Sequence, residues 1–583
     1  MSWCSTPVRV AMVAAACSAS RVIDGHRRES GHCSGATHTS SLVENHVVEH
    51  DVVILGTGAA GLTAAIAAAE HGASVGLYEK GSVVGGTTGL SGGIVWVPNN
   101  HHMAAAGLDD SRGDALAYLA SLSNGYIQSD LAAALVDGGP EMLRFIEERT
   151  AMRFRIVPGY SDYHPEHPGG KPGGGRSVEL ELTSWTGLGP WRDRIANNGR
   201  MAPVLLAETP LGGATSLPAP EVIAARAAAD LHALGPALVG GLLQACLDRG
   251  IEPVTDARAT GLVREDGRVV GVTINGSTVR ARRGVVIATG GFEWDTVMSR
   301  EFLRGPMTHP AGIPTNTGDG QRMAMEVGAS MGNMREAWWV PVIQVPDASL
   351  YGAPRPSLVL GERTNPGSLM INRTGRRFCN EATNYNALAG AFHQFDPGSF
   401  EYLNLPCWLI FDHRYKLRYP VAGVPAGDHV PSWMTSAPTA GGLAERLDVD
   451  PVALEEAVAR FNAAAREGVD PDFHRGRSAY DTFNGDHRFD GVFATLGPLD
   501  EGPYYAVPIH SGSLGTKGGP RTDGEGRALD HSGRPIPGLF AAGNAMAGVT
   551  GMVYGGAGGT LGPAISFGFL AGRHAASAAA AST

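Results

Sequence analysis

Four residues near the start of the chain have types and a spacing that suit the binding of a phosphate-containing ligand. Gly56, Gly58 and Gly61 stand in G-x-G-x-x-G spacing, and Glu79 follows them. In this pattern the first glycine permits a tight turn, the second lets backbone approach a pyrophosphate, and the third lets a helix pack against a strand. Glu79 stands where a carboxylate accepts hydrogen bonds from a ribose. The pattern predicts a dinucleotide cofactor, and a purely structural glycine turn is the alternative.

The segments around these glycines predict a strand–turn–helix–strand unit. Residues 51–55 and 74–78 are short apolar runs typical of buried parallel strands. The alanine-rich segment between them places Leu62 and Ile66 on one helical face, and Gly72 ends it. The N-terminus of this helix offers free N–H groups and a positive dipole end to phosphates. A lone glycine motif is weak in a chain with 81 glycines, and this context is what supports it.

The next stretch, residues 81–100, is dense in glycine, threonine and serine. Glycines let backbone run close to a flat cofactor, and the hydroxyl groups of Thr87, Thr88 and Ser91 suit phosphate or ribityl oxygens. An ordinary glycine-rich loop is the alternative. The stretch contains no histidine, which excludes a covalent flavin attached through a histidine here.

Composition excludes several other classes of protein. The net charge of −11 and the absence of long basic runs argue against nucleic acid as a partner. The six cysteines form no C-x-x-C pair, so we expect neither a metal site nor a disulfide framework. No apolar run reaches the roughly 18 residues of a membrane-spanning helix. We expect a cytoplasmic protein, either free or associated with a membrane surface.

Residues 1–48 stand apart from the rest of the chain. Val10–Ala16 is apolar and resembles a weak signal peptide, but residues 24–49 are polar and without periodicity. We interpret residues 1–48 either as a disordered extension or as the result of a start codon assigned too far upstream.

The dinucleotide-binding pattern continues in two later parts of the chain. Residues 268–272 and 278–282 predict a hairpin around Asn275-Gly276, and a buried strand over 284–289 follows. A further strand over 538–542 precedes a glycine loop and a helix from Leu561. Asp319 begins another helix, either as its cap or as a contact to a ribityl chain.

Residues 336–500 interrupt this pattern, since they are richer in tryptophan and tyrosine and poorer in glycine turns. The sequence therefore predicts an α/β fold with a discontinuous Rossmann-like domain and an inserted α+β domain. The predicted boundaries are 49–335 and 501–583 for the two parts of the first domain and 336–500 for the inserted catalytic, capping domain.

Several motifs together resemble those of one superfamily. They are HDVVILGTGAAGLTAAIAAAEHGASVGLYEK, GGTTGLSGGIVWVPNN, SDYHPEHPGG, ATGGFE, NTGDG, GRRFCNEATNY, GSLGTKGG, GLFAAGN and VYGGAGGTLGPAISFG, and they span residues 50–575. The chain is identified by them as a member of the fumarate reductase/succinate dehydrogenase flavoprotein superfamily, and it most resembles the 3-ketosteroid Δ1-dehydrogenases.

The resemblance implies non-covalent FAD. The residues assigned to its binding are Gly56, Gly58, Ala60, Gly61, Glu79, Lys80, Gly86, Thr87, Thr88, Ser91, Gly92, Gly93, Ala288, Thr289, Gly290, Asp319, Gly543, Asn544, Gly559 and Leu561.

Two positions separate the branches of the superfamily. The dicarboxylate branch carries an arginine four residues after the glutamate of its RF-x-NE motif, where this chain has Tyr385. That branch also carries histidine and arginine in the C-terminal loop, where this chain reads Thr550 to Tyr554 without either. A dicarboxylate would lose its charge-assisted hydrogen bonds here. The pattern resembles the ketosteroid branch instead.

The resemblance implies dehydrogenation beside a ketone, in which a base takes the α-proton and hydride leaves the adjacent carbon. It assigns the base to Tyr385, its hydrogen-bonding neighbour to Tyr163, and the contacts of the ketone oxygen to the Tyr554 hydroxyl and the Gly558 N–H. Core packing is the alternative for any single tyrosine, and the joint occurrence favours a catalytic role. The expected substrate is a flat 3-keto-4-ene steroid, which becomes a 1,4-diene.

Three alternatives remain open. One is a 3-oxo-5α-steroid 4-dehydrogenase, which sequence separates poorly from the first choice. The second is a fumarate-reductase-like flavoprotein on another unsaturated substrate, and the third is a non-catalytic flavoprotein. The chain shows no second nicotinamide site, so we expect an external electron acceptor such as a quinone.

Overall fold

The computed structural model describes residues 48–199, 202–427 and 429–581. The predicted extension over residues 1–48 lies outside them except for its last residue. The helices of the described residues are α1 Ala59–Glu70, α2 His101–Ala105, α3 Arg112–Leu122, α4 Ser129–Arg149, α5 Pro220–Ala228, α6 Leu234–Leu247, α7 Thr296–Phe302, α8 Asp319–Glu326, α9 Gly361–Thr364, α10 Tyr385–Phe392, α11 His413–Arg418, α12 Ala440–Leu447, α13 Pro451–Glu467, α14 Ala479–Phe483 and α15 Leu561–Ser577.

The strands of the same residues are β1 Val48–Leu55, β2 Val75–Tyr78, β3 Val95–Trp96, β4 Phe154–Pro158, β5 Gly174–Leu180, β6 Thr183–Ser184, β7 Leu231–His232, β8 Ala259–Glu265, β9 Arg268–Ile274, β10 Ser277–Ile287, β11 His309–Pro310, β12 Met331–Gly332, β13 Ala337–Leu350, β14 Ala353–Leu358, β15 Ser368–Asn372, β16 Phe395–Asp396, β17 Glu401–Tyr402, β18 Cys407–Phe411, β19 Thr435–Ala437, β20 Tyr504–Thr516, β21 Gly519–Pro520, β22 Arg527–Leu529 and β23 Pro535–Ala541.

The first sheet has a parallel centre in the order β2-β1-β10-β23, and β22 pairs antiparallel with β23. Leu55 at the end of β1 pairs with Tyr78 and with Ile287, and Ile287 pairs with Ala541. The carboxyl ends of these strands therefore lie at one edge of the sheet. In open α/β sheets this edge is where ligands bind. The architecture is the α/β fold that the sequence predicts.

Helices α1 and α15 pack against each other through glycines. A Cβ atom at Gly568 would lie 2.4 Å from the carbonyl oxygen of Ala60, and one at Gly572 would lie 2.3 Å from that of Ala64. Any larger residue would push the helices apart. The two helices are joined closely, and both begin at the carboxyl edge of the sheet.

Two predicted elements differ from the structure. The turn residues Gly138-Gly139-Pro140 predict an interruption of the helix over residues 131–148. This prediction is wrong, because α4 runs through Pro140. The residues on either side of the proline are buried, Val136 and Met142 among them, so packing holds the helix together where one backbone hydrogen bond is missing. The hairpin strand and the buried strand predicted separately over 278–289 form a single strand, β10.

The second sheet has the order β14-β13-β20-β18-β15, with β11 and β19 also paired to β20. Its central strand β20 lies within residues 501–583, which the sequence pattern assigns to the first domain. The predicted domain boundaries themselves stay predictions. Helix α10 packs on β13.

Among the described residues, none of the helices combines the length and the apolar character needed to cross a bilayer.

Candidate active site

A cleft follows the carboxyl edge of the first sheet and continues to the strands of the second. Its wall includes all but two of the residues assigned to the cofactor: Gly56, Gly58, Ala60, Glu79, Lys80, Gly86, Thr87, Thr88, Ser91, Gly92, Gly93, Ala288, Thr289, Gly290, Asp319, Gly543, Asn544 and Leu561. The four residues assigned to catalysis, Tyr163, Tyr385, Tyr554 and Gly558, line the other part of the same cleft. The structure thus brings both sets into one cavity, while their roles stay predictions.

Two glycines assigned to the cofactor are absent from this wall and have packing roles. A Cβ atom at Gly61 would lie 1.9 Å from the carbonyl oxygen of Gly56, so Gly61 lets α1 approach the turn after β1. A Cβ atom at Gly559 would lie 2.9 Å from the ring of Tyr554. Neither glycine lines the cleft. A substitution at either position would therefore affect cofactor binding only by shifting the neighbouring backbone.

The N-terminus of helix α1 lies at the cleft. Helix α1 begins after Gly58 without a side-chain cap, and Gly56 has a φ of +103° that a glycine adopts without strain. A Cβ atom at Gly58 would have no protein atom nearer than 3.7 Å, so this glycine leaves space rather than avoiding a clash. The N–H of Ala59 donates to Thr88 Oγ1, and the other N–H groups at the start of α1, beside this open space, suit a phosphate.

Glu79 directly follows β2 and is buried at the sheet edge. One carboxylate oxygen accepts hydrogen bonds from the N–H and Oγ1 of Thr57 at 3.0 and 2.7 Å, and the other accepts from the N–H of Gly81 at 2.8 Å. These bonds fix the orientation of the carboxylate. A hydrogen bond to a ribose remains a prediction.

Asp319 does not cap its helix, which corrects the sequence expectation. Gly318 occupies the cap position of α8, and Asp319 is the first helical residue. Its carboxylate binds Lys80 and Arg258, each at 2.9 Å. These two cations lower the pKa of Asp319 against the opposing effect of burial. The negative charge at the start of α8 also interacts favourably with the helix dipole.

The hydroxyl groups of the glycine-rich loop already have protein partners. Thr88 Oγ1 accepts from the N–H of Ala59 at 3.1 Å, and Thr87 Oγ1 accepts from the N–H of Ile313 and the side chain of Asn316. Ser91 donates to the carbonyl of Thr88. These bonds hold the loop against α1, and each hydroxyl keeps a further hydrogen-bonding capacity for a ligand.

The part of the cleft that Tyr163, Tyr385, Tyr554 and Gly558 line, called the tyrosine half below, is a cluster of buried tyrosines. The hydroxyl of Tyr163 donates to the hydroxyl of Tyr385 at 2.9 Å. The rings of Tyr163 and Tyr385 lie 5.0 and 5.4 Å from the ring of Tyr554. Thr560 donates to the hydroxyl of Tyr554 at 3.0 Å. Three residues predicted from distant parts of the chain therefore meet.

Tyr163 is held by the backbone of the loop that carries Tyr554. Its N–H donates to the carbonyl of Gly555 at 3.0 Å, and Asp162 forms a bridge with Gly556. The Asp162 carboxylate is buried and accepts from Trp96 Nε1 at 2.9 Å and from Arg176 at 2.8 Å. Burial is the main influence on the Asp162 carboxyl and raises its pKa to about 6.

Tyr385 is placed by the start of α10. Asn384 caps this helix by accepting from the N–H of Ala387, and its side-chain amide donates to the carbonyl of Tyr163 at 3.3 Å. The next residue, Asn386, accepts from the N–H of Trp339 on β13 at 3.1 Å. The residues on both sides of Tyr385 are thus tied to other elements.

Gly558 needs its glycine backbone. Its φ is +89°, and a Cβ atom would lie 2.5 Å from the carbonyl oxygen of Ile94. Its own carbonyl accepts from the N–H groups of Trp96 and Gly562. The chain therefore turns here in a conformation that other residues rarely adopt.

Burial raises the pKa of Tyr385 and of Tyr163 well above the usual value of a phenol. The neighbouring tyrosines raise both further, while the hydrogen bond from Tyr163 lowers the pKa of Tyr385. Burial also raises the pKa of Tyr554, against the lowering effect of the Thr560 hydrogen bond. All three phenols are neutral at pH 7 in this state.

Several residues of this site were not predicted from the sequence. The ring of Tyr480 packs on Tyr163 at 4.8 Å, and that of Trp338 packs on Tyr554 at 4.9 Å. Thr560 and Lys517 also lie near this cluster. Both stand inside motifs that carry the family resemblance, and those motifs were the sequence signal that could have identified them. Tyr480 and Trp338 lay outside those motifs and gave no signal.

The remaining wall of the tyrosine half is mainly apolar. Its apolar residues are Leu206, Leu211, Val340, Val345, Leu350, Leu358, Leu360 and Leu514. Two cationic residues, Arg355 and Arg363, also line it. Arg363 is buried and donates to the carbonyls of Val359, Glu381 and Thr383. The wall suits a substrate with an extended apolar body.

One group of potential metal ligands lies outside the cleft. The Nε2 atoms of His101 and His102 lie 2.8 and 3.0 Å from the two carboxylate oxygens of Glu147. Hydrogen bonds between these side chains account for the contacts. The expectation of no metal site stays a prediction.

The chemistry of the cofactor end fits FAD. Two helices, α1 and α15, begin at the cleft without side-chain caps, and Gly58 leaves open space beside the first of them. Such N-termini stabilise negative charge on a pyrophosphate or on a reduced ring.

Comparisons with known proteins agree with this geometry. The sequence profile of the family described as "FAD binding domain" matches residues 51–561. A 4-oxocyclohexanecarboxylate 2-dehydrogenase of Sinomonas cyclohexanicum is 43% identical over 542 residues, which cover 91% of this chain and 93% of that protein. A 3-oxosteroid 1-dehydrogenase of Mycobacterium tuberculosis is 39% identical over 566 residues, which cover 91% of this chain and 99% of that protein.

A similar solved structure is the 3-ketosteroid delta1-dehydrogenase of Sterolibacterium denitrificans in complex with 1,4-androstadiene-3,17-dione. It has a TM-score of 0.84 and 33% sequence identity, and the match covers 91% of this chain and 99% of that one.

Proposed function

Because this chain belongs to the FAD binding domain family and to its branch of 3-oxosteroid 1-dehydrogenases, we propose that it is an FAD-dependent dehydrogenase of 3-ketosteroids. It converts a 3-keto-4-ene into a 1,4-diene and acts on a CH–CH bond. The observation that carries this proposal is the cluster of Tyr163, Tyr385 and Tyr554 in the wall of the cofactor cleft.

Tyr385 takes the proton from C2 of the steroid, the carbon next to the C3 ketone. Its oxygen accepts the hydrogen bond of Tyr163 at 2.9 Å, which stabilises the phenolate that acts as the base. Bound FAD supplies the acceptor for the hydride that leaves C1.

The ketone oxygen gains negative charge as the proton leaves, and Tyr554 and the N–H of Gly558 stabilise it. Thr560 donates to the oxygen of Tyr554 at 3.0 Å, so the proton of the Tyr554 hydroxyl is free to point at the substrate. The surrounding tyrosine and tryptophan rings exclude water and strengthen these interactions.

The test uses the purified protein, androst-4-ene-3,17-dione and an artificial electron acceptor. Reduction of the acceptor together with a product that has lost two hydrogens and gained vinyl signals at C1 and C2 is the expected result. Turnover of a 5α-reduced 3-ketosteroid alone would assign the enzyme to C4–C5 dehydrogenation. Turnover of neither would overturn the steroid proposal.

Replacement of the base tests the mechanism in the same assay. Tyr385→Phe is expected to lower kcat by about 10²- to 10⁴-fold while FAD stays bound. Full activity of this variant would contradict the assignment of the base.

A second candidate substrate is a cyclic ketone that carries a carboxylate, as in the name of the 43% identical relative. A carboxylate needs a cation, and Arg355 lines the cleft on β14. Arg355 also donates to the carbonyl of Asn198. If the acid is the substrate, Arg355→Gln raises KM for 4-oxocyclohexanecarboxylate and leaves KM for the neutral steroid unchanged. The largely apolar wall favours the steroid.

The electron acceptor that reoxidises the enzyme is proposed to be external, with a quinone as the candidate. The chain carries one dinucleotide motif and no sign of a nicotinamide site. Contact with a membrane surface stays a prediction.

A further inference from the structure

A fully buried lysine side chain, that of Lys517, lies behind the tyrosine cluster. Lys517 follows β20 and is 0% exposed. Its ammonium donates to the carbonyls of Val553 and Gly551 at 2.8 and 3.3 Å. It also lies 3.8 Å from the centre of the Trp338 ring. The carboxylate of Glu336 acts on it only at longer range.

The two carbonyls belong to the loop that ends at Tyr554. Side chains from several elements hold this loop: Asn386 donates to the carbonyl of Met552 at 3.0 Å, and Thr550 Oγ1 donates to that of Val553 at 3.0 Å. The loop has no regular hydrogen-bond ladder of its own. Its conformation therefore depends on these donors, and Lys517 is the basic side chain among them.

Trp338 is the second contact of Lys517 and the neighbour of the Tyr554 ring. Its ring packs edge-on against Tyr554 at 4.9 Å, and its Nε1 donates to Asn544 at 2.9 Å. Asn544 lines the cofactor cleft. Lys517 thus supports Tyr554 in two ways, through the backbone before it and through the indole beside it.

We propose that Lys517 is a positioning residue for the reaction, which fixes the Tyr554 hydroxyl where it meets the ketone oxygen. This role rests on the proposed function of Tyr554. Lys517 is absent from the wall of the cleft, and its side chain contacts the Trp338 ring and the loop backbone instead.

The energetics support a role other than stability. Burying an ammonium is unfavourable, and burial lowers the pKa of Lys517 to about 7, with Glu336 opposing this and Arg304 adding to it. A methionine would fill similar space without this penalty. What methionine cannot do is donate to the two carbonyls.

The chain offers a matched control. Lys416 in α11 is also fully buried, and its ammonium donates to the carbonyls of Pro425 and Gly427 at 2.9 and 2.7 Å. It lies outside the wall of the cleft. Lys416→Met therefore removes a buried lysine of the same kind without touching the Tyr554 loop.

The first experiment compares kinetics of the FAD-loaded variants with androst-4-ene-3,17-dione. Lys517→Met is expected to lower kcat by about 10²-fold with KM within about threefold, because misplacement of one catalytic group has this effect. In a Tyr554→Phe background the same substitution changes kcat less than about threefold, because both act on one interaction. Lys416→Met leaves kcat unchanged. Additive effects of the two substitutions would overturn the proposal.

The second experiment is independent of turnover. Hydrogen exchange of backbone amides in residues 548–556 is expected to be at least about tenfold faster in Lys517→Met than in wild type or Lys416→Met. The reason is that the loop opens locally more often once the donor that holds two of its carbonyls is lost. Unchanged exchange in this segment refutes the positioning role even if the steroid is not the substrate. If the wild type does not convert the steroid but Lys517→Met still exchanges faster in this segment, the proposed function is refuted and the role of Lys517 in holding the loop is not.

Discussion

The hydroxyl of Tyr163 offers the sharpest test of how the base works. Tyr163→Phe removes one oxygen and leaves the ring contacts with Tyr385, Tyr480 and Tyr554 in place. The variant loses the hydrogen bond of 2.9 Å to the oxygen of Tyr385. Both side chains are largely buried, so once a substrate fills the cleft little solvent can replace the donor.

The size of the effect follows from the charge on the acceptor. A hydrogen bond to a charged group contributes about 1.5–3 kcal/mol, and about 1.4 kcal/mol corresponds to a tenfold change in rate. We therefore expect kcat to fall by about 10- to 150-fold. The neutral ground state loses only about 1 kcal/mol of stability, since that hydrogen bond joins two uncharged phenols.

The pH dependence gives the second signature of this variant. The donor lowers the pKa of Tyr385, so its removal raises that pKa further above its usual value. The rise of kcat/KM with pH then moves to higher pH in Tyr163→Phe. The assay is steady-state reduction of an artificial acceptor from pH 6 to pH 10 with androst-4-ene-3,17-dione.

Tyr415→Phe is the matched control. Tyr415 is also buried, and its hydroxyl donates to the carbonyl of Glu362 at 2.7 Å, away from the cleft. This variant is expected to lose stability without losing kcat. A Tyr163→Phe enzyme with wild-type kcat and an unshifted pH profile would refute the reasoning about the base.

Three further predictions concern pH, the cofactor and stability. Because burial raises the pKa of Tyr385, kcat/KM of the wild type is expected to rise about tenfold per pH unit up to at least pH 9, and a plateau below pH 8 would contradict a phenolate base. Gly58→Ala is expected to keep the thermal midpoint of the cofactor-free protein, since the new Cβ has open space, but to weaken FAD binding measured by flavin absorbance; a flavin titration equal to wild type would contradict the placement of the pyrophosphate. Glu381→Gln leaves the buried Arg475 without its carboxylate partner, while Arg377 keeps Asp470, and it is expected to cost about 3–5 kcal/mol in urea unfolding; a loss below about 1 kcal/mol would show that the Glu381 charge is dispensable.

The sequence by itself determined the cofactor end of this protein. The glycines from Gly56 to Gly61, the strand before them and the acid after them lie within one short unit, whose structure depends on contacts between residues close in the chain. Periodicity and turn residues report such local contacts directly. The hairpin around Asn275-Gly276 and the start of α15 at Leu561 are of the same kind, and they were predicted correctly.

The tertiary structure decided which residues meet at the catalytic end. Tyr163 and Tyr385 stand 222 residues apart in the chain. The hydrogen bonds of the Tyr163 backbone with Gly555 and Asn384, together with the packing of α10 on β13, bring them together. The partners of Asp319 and the continuity of α4 through Pro140 were likewise set by packing. Lys517 shows the reason most clearly, since a lysine after a strand predicts an exposed charge, and only the surrounding carbonyls and the indole of Trp338 explain its burial.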